Sequence, residues 1–272
     1  MSFYPLSYLR IFTKKYGMNI TVAKSWQELN EWQLQEIIDV YLNHPEEQWE
    51  KAFEKMILIL FQKKNGFWTR MKLRKLIKQV PVSTLAEFGE FLLEPPKLHQ
   101  FPEIEGVIKP ADRLGDLSIK QFSFMDQFFH AWTDSKSDKY LRALCAAIYR
   151  VGDFDNLKLP DVAKYTDKLT KKERQVIGFI YMSCYHHLAD QFPVVFPKPV
   201  KKEGEEKAQK PAKKPAFKPF SEIILNIVMH EETQPLGNLH ESNKTRIYEF
   251  MNVFTRIILK NQKLEQEYAK RK

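Results

Sequence analysis

Cys184, His186, His187 and Asp190 fall within seven positions of one another. A thiol, two imidazoles and a carboxylate could hold a divalent metal or activate a nucleophile. On a helix, however, neighbouring residues point about 100° apart, so His186 and His187 do not converge on one ion. His187 shares a face with Cys184 and with Asp190, and the stripe reads as a helix surface carrying one half-buried histidine. His230-Glu231 and His240-Glu241 each open like a zinc-protease motif, which needs a second histidine four positions after the first. Those positions hold Gln234 and Lys244. The pairs Glu46-Glu47 and Glu231-Glu232 sit at expected helix ends, where carboxylates serve the helix dipole. The chain has nine glycines, and the nearest two, Gly106 and Gly115, are nine positions apart. Phosphate-cradling loops and the nucleophile elbow need glycines two to five residues apart. The residues therefore point to no reaction, no cofactor and no metal, and the chain is expected not to be an enzyme.

The elements that would position any site are helical. Four capping-box signatures, at Ser25–Glu28, Thr84–Glu87, Ser118–Gln121 and Thr170–Glu173, each precede an apolar periodic stretch. The first predicts a helix to about Leu42, burying Leu29, Leu34, Ile37, Ile38 and Tyr41. A helix over Glu46–Lys64 buries Trp49, Phe53, Met56, Ile57 and Leu60. Trp68–Val80 is a shorter amphipathic helix, with Leu73, Leu76, Ile77 and Val80 on one side and Arg74, Lys75 and Lys78 on the other; it reads as a surface helix. Pro95–Pro110 holds four prolines and is a connection. Phe122, Met125, Phe128, Phe129 and Trp132 then recur at helical spacing, as do Leu141, Leu144, Cys145, Ile148 and Tyr149. Ile177, Ile180, Tyr181, Cys184 and Leu188 line a long helix over Thr170–Gln191. Asn19–Ala23 and Pro193–Phe196 are the only strand candidates. The body, residues 1–196, reads as all-α with roughly eight helices.

From Pro197 to Pro219 the composition changes to PKPVKKEGEEKAQKPAKKPAFKP. Such a tract cannot bury enough apolar surface to offset its ordering entropy, so it reads as a disordered linker over 197–219. Beyond it, residues 220–272 read as two helices. The first carries Ile223, Ile224, Ile227 and Val228. The second, capped by Ser242 or Asn243, carries Ile247, Phe250, Met251, Phe254, Ile257, Ile258 and Leu264 on one stripe. Two helices cannot hold an independent core. Their apolar faces must meet the body, another copy or a partner, which makes Ile223, Ile227, Ile247, Phe250, Met251, Phe254, Ile257 and Ile258 the candidate partner-binding residues. Removing 220–272 should leave the body folded.

The net charge is +9. The stretch Gln62–Gln79 holds seven basic residues and no acidic one, and the linker and the last helix are also basic. The rest is mildly acidic, which favours solvated charge over a phosphate-binding face; a nucleic-acid-associated helical protein is the alternative reading. Two cysteines, both in apolar helical patterns, fit an intracellular setting. The longest run of large apolar residues, Met56–Phe61, is far short of a membrane span, and the opening MSFYPLSYLRIF does not read as a signal peptide.

Several segments carry a family resemblance: Ser25-Trp26-Gln27-Glu28-Leu29, Lys109-Pro110-Ala111-Asp112-Arg113-Leu114, Leu117-Ser118-Ile119-Lys120-Gln121-Phe122, Leu141 to Arg150 and Phe192-Pro193-Val194-Val195-Phe196. Together they resemble proteins encoded among the tail genes of phages and prophages of Bacteroidetes-type bacteria. The layout of helical body, extension and small C-terminal part is similar to that of tail assembly chaperones. The resemblance implies a protein-binding role in tail assembly, chaperone-like or structural. Implied partners are the tape measure protein, the tube protein or copies of the chain itself. The implied location is the cytoplasm of the bacterial host, or the virion.

Overall fold

The computed structural model describes residues 22–197, 219–230 and 235–271. The described residues form eleven α-helices: α1 Glu31–Asn43, α2 Trp49–Leu60, α3 Phe67–Gln79, α4 Val82–Ala86, α5 Ile119–Ser135, α6 Asp138–Ile148, α7 Leu159–Thr166, α8 Lys171–Gln191, α9 Phe220–His230, α10 Leu239–Lys244 and α11 Ile247–Arg271. Among the described residues there is no strand, only two isolated antiparallel bridges. The fold is all-α, with eight α-helices among the described residues before residue 197. The expected linker over 197–219 lies outside the described residues except for its two end prolines. Of the strand candidates, 19–21 also lie outside them, and Pro193–Phe196 is a turn, closed by the Val195 and Phe196 amides on the Phe192 carbonyl.

The capping signatures divide. Thr170 forms the full box with Glu173, and Ser118 accepts from the Gln121 amide. Ser25 makes no side-chain cap and opens only a 3-10 turn, Trp26–Glu28; the box that starts α1 is Asn30 with Gln33. Thr84 lies inside α4 instead of capping it. The last helix is not capped by Ser242 or Asn243, because both belong to short α10, whose cap is Asn238 with Glu241. An asparagine oxygen performs the same task as a serine hydroxyl, so these two boxes are equivalent in physics though not in letters.

The chain forms two compact units, Met1–Leu98 and His99–Lys272. In the first, α1 packs on α2 through Ile37, Ile38, Met56 and Ile57, all fully buried. Gln33 Nε2 donates to the Leu60 carbonyl at 2.8 Å, so a residue of the α1 capping box also satisfies the end of α2. Trp26 closes the unit, donating its indole N–H to Phe91 O at 3.1 Å.

In the second unit, α8 is the central helix: Arg174 through Tyr181 are all buried. Gly178 lets it approach closely, since a Cβ there would stand 2.8 Å from the Trp132 ring. Gln121 Nε2 donates to the Ala147 and Ile148 carbonyls, at 2.9 and 3.1 Å, closing the end of α6. Buried Arg174 donates to the Leu169 carbonyl and to Asp138 at 3.1 and 3.2 Å. The proline-rich connection is anchored by Ile108 paired with Arg150 and by the Tyr149 hydroxyl on Pro102 O at 2.7 Å.

The C-terminal helices belong to this same unit. The Ile119 amide donates to Thr245 O at 2.8 Å, and the Ile247 amide to Leu117 O at 2.9 Å. Phe220 meets the Phe122 ring at 5.1 Å. Phe220, Ile224, Ile227, Ile247, Phe250 and Met251 are buried. At about 1.5–3 kcal/mol per side chain, these six contribute on the order of 10 kcal/mol, as much as a typical domain's whole stability. The expectation that residues up to 196 would stay folded without 220–272 is therefore corrected: the C-terminal helices are part of the second core.

Candidate functional site

The apolar stripe singled out in the C-terminal helices is used in two ways. Ile227, Ile247, Phe250 and Met251 are spent on the core of the second unit. Ile223, Phe254, Ile257 and Ile258 are only half-buried. Beyond them, every residue from Leu259 to Arg271 is exposed, including Leu264 and Tyr268. Phe254, Ile257, Asn261, Leu264 and Tyr268 recur at alternating spacings of four, or of three. That is the heptad rhythm of a helix seam, with one polar Asn among apolar positions. The outer part of α11 therefore carries a helix-shaped apolar surface that its own unit does not fill.

The residues of possible chemical use are placed differently. Cys184 points its thiol at the His99 carbonyl at 3.9 Å. Burial pushes that thiol up to about 12, so it stays protonated and is a poor nucleophile. His187 lies against His99, ring centroids 5.1 Å apart. Burial and then the Arg113 guanidinium lower the pKa of His187; burial, then His187 and Arg113, lower that of His99. Both imidazoles are thereby held towards the neutral form. Among the described residues no group of three or more His, Cys, Asp or Glu side chains could hold a metal ion. The best-formed depression there, lined by Tyr149, Phe154, Leu159 and Val162 among others, encloses no volume that a small molecule could fill.

Two features escaped the sequence. Arg113 and Leu114 both adopt positive φ, 57° and 64°, in the loop beside His99. The left-handed region costs an ordinary L-residue about 1–2 kcal/mol, so neighbours must enforce it. The Arg113 amide donates to His99 O at 3.2 Å, and the Tyr248 hydroxyl of α11 donates to Arg113 O at 2.7 Å. Asp116 accepts from the Ala111 amide at 2.7 Å and pairs with Arg150. No residue type signals this strain, since neither position is Gly or Asn. The second feature is Asp126, fully buried in α5 with its carboxylate 3.5 Å from His130 Nε2. Here a signal exists: Asp126 lies on the same helical face as Phe122 and Phe129.

The chain matches no protein-family model, no curated protein and no solved structure.

Proposed function

We propose that the chain acts without catalysis, by protein–protein contact during assembly of a phage or prophage tail, in the cytoplasm of the bacterial host. The observation that carries this reading is the outer part of α11. Phe254, Ile257, Leu264 and Tyr268 lie at seam spacing on a helix whose inner turns are already anchored by Ile247, Phe250 and Met251. Anchoring the inner turns prepays the ordering of the outer ones, so a partner helix gains apolar burial at lower entropic cost. The partner is a helix of the tape measure protein, seated along this seam. No helix among the described residues is long and apolar enough to cross a membrane, so the seam is not a membrane span.

Co-purification from cells that express the whole tail gene cluster tests the proposal. The full chain should retain the tape measure protein, and Ile257→Asp with Leu264→Asp should lose it while keeping the wild-type helical content. Retention of the tape measure protein by the double variant would overturn the proposal. So would a chain that recovers only the tube protein or only its own copies.

A further inference from the structure

A second surface, in the first unit, asks for a different ligand. Of the thirteen residues of α3 only Leu76 is buried. Leu76, Val80 and half-buried Leu73 and Ile77 form its inner side. Its outer side carries Phe67 and Trp68, 70 % and 75 % exposed, with ring centroids 5.7 Å apart and planes at 79°. Met71 is exposed beside them. At 100° per residue, Arg74, Phe67, Lys78, Met71, Lys75 and Trp68 fall, in that order, within an arc of about 120°. Cations and rings are thus interleaved on one solvent-facing strip.

The charge there is uncompensated. Lys63, Lys64, Arg70, Lys72, Arg74, Lys75 and Lys78 are all exposed, and no acidic residue occurs between Glu54 and Glu87. None of the seven is in an ion pair among the described residues. Lys63, Lys64 and Arg70 crowd the positive end of the helix dipole, where cations are unfavourable. The first turn has no acid, and the cap, Gly66, offers no side chain. Folding gains nothing from this arrangement, whereas a bound polyanion would relieve it.

We propose that this face of α3 binds single-stranded nucleic acid, with Lys and Arg neutralising phosphates and Phe67 and Trp68 stacking on unpaired bases. A duplex would leave the rings idle, because its base faces are already stacked. A membrane surface fits less well: an interfacial helix lays a continuous apolar face into lipid and keeps its cations opposite. Here the continuous apolar face is turned into the protein, and the outward face is mixed. The inference concerns the first unit alone and does not depend on the partner of α11.

Fluorescence anisotropy of labelled oligo(dT) and oligo(rU), about 20 nucleotides long, titrated with the full chain provides the test. Single strands should bind, and three to four neutralised phosphates should weaken binding about 30-fold between roughly 50 and 200 mM salt. Trp68→Ala should weaken it about tenfold, with Trp68→Phe restoring most of the loss. Lys75→Glu with Lys78→Glu should weaken it further, and circular dichroism should be unchanged because all three side chains are exposed. Absence of binding at 50 mM salt would overturn the proposal. Binding that ignores these substitutions would assign it to another basic segment and overturn it equally. Preference for duplex, for phosphatidylglycerol vesicles or for polyglutamate would likewise contradict it.

Discussion

Two buried details govern stability at the scale of single residues. Burial raises the pKa of Asp126 above its ordinary 3.8, against the opposing pull of His130. The folded state therefore holds that proton more tightly than the unfolded state does. The contribution is fully present below the ordinary carboxylate value and is lost as pH rises through the raised one. Asp126→Asn should remove this slope: its denaturation midpoint relative to wild type should improve as pH rises from the ordinary carboxylate range towards neutrality. A constant difference across that range would contradict the assignment. Arg113 is strained in the opposite sense, by its backbone. Arg113→Gly should leave stability unchanged or raise it by up to about 1 kcal/mol, whereas Arg113→Val should lower it by more than about 1 kcal/mol. Urea denaturation of the pair distinguishes strain from lost side-chain contacts, which would make both variants weaker. The sequence could not announce Arg113, since only its neighbours hold it at positive φ. Asp126 was legible as a carboxylate placed among phenylalanines.

At the scale of elements, α11 is one helix with two duties. Its first turns complete the second core, and its outer turns touch little of it. Every described residue after Ile258 is exposed, so ending the chain there should shift stability by no more than about 0.5 kcal/mol. Removing everything from Phe220 onward strips six buried apolar side chains and should abolish cooperative melting of the second unit. Equal melting behaviour of the two truncations would refute the division of labour. Periodicity made the helices readable: Ile37 and Ile38, Phe122 with Met125 and Phe129, and Ile177 with Ile180 are buried where spacing placed them. It could not tell which stretch of the α11 stripe would be consumed internally, because Ile247 and Ile257 are alike as residues. What separates them is the pairing of Leu117 and Ile119 with the backbone around Arg246, a contact across more than a hundred residues. The start of α1 was missed for a local reason: its cap is Asn30, two positions beyond the serine-based signature's end at Glu28.

Along the whole chain, composition marks a break at Pro197, yet the division into compact units falls between Leu98 and His99. The lysine-rich tract is conspicuous in the sequence; the division at residue 98 follows from long-range packing that composition does not record. The same contrast applies to charge. The net +9 is spread over several segments, and in α3 the cations are interleaved with the exposed rings of Phe67 and Trp68, which exposure reveals and residue counts do not. The two surfaces lie in different units and carry different chemistry, rings and cations on α3 and an apolar seam on α11. The central claim concerns the seam, and site-specific photo-crosslinking from position 268 in cells assembling tails tests it most directly. A photoreactive phenylalanine analogue in place of Tyr268 should yield a crosslink to the tape measure protein that disappears when Leu264→Asp is added. No crosslink to a tail protein, or one that persists with Leu264→Asp, would contradict the account.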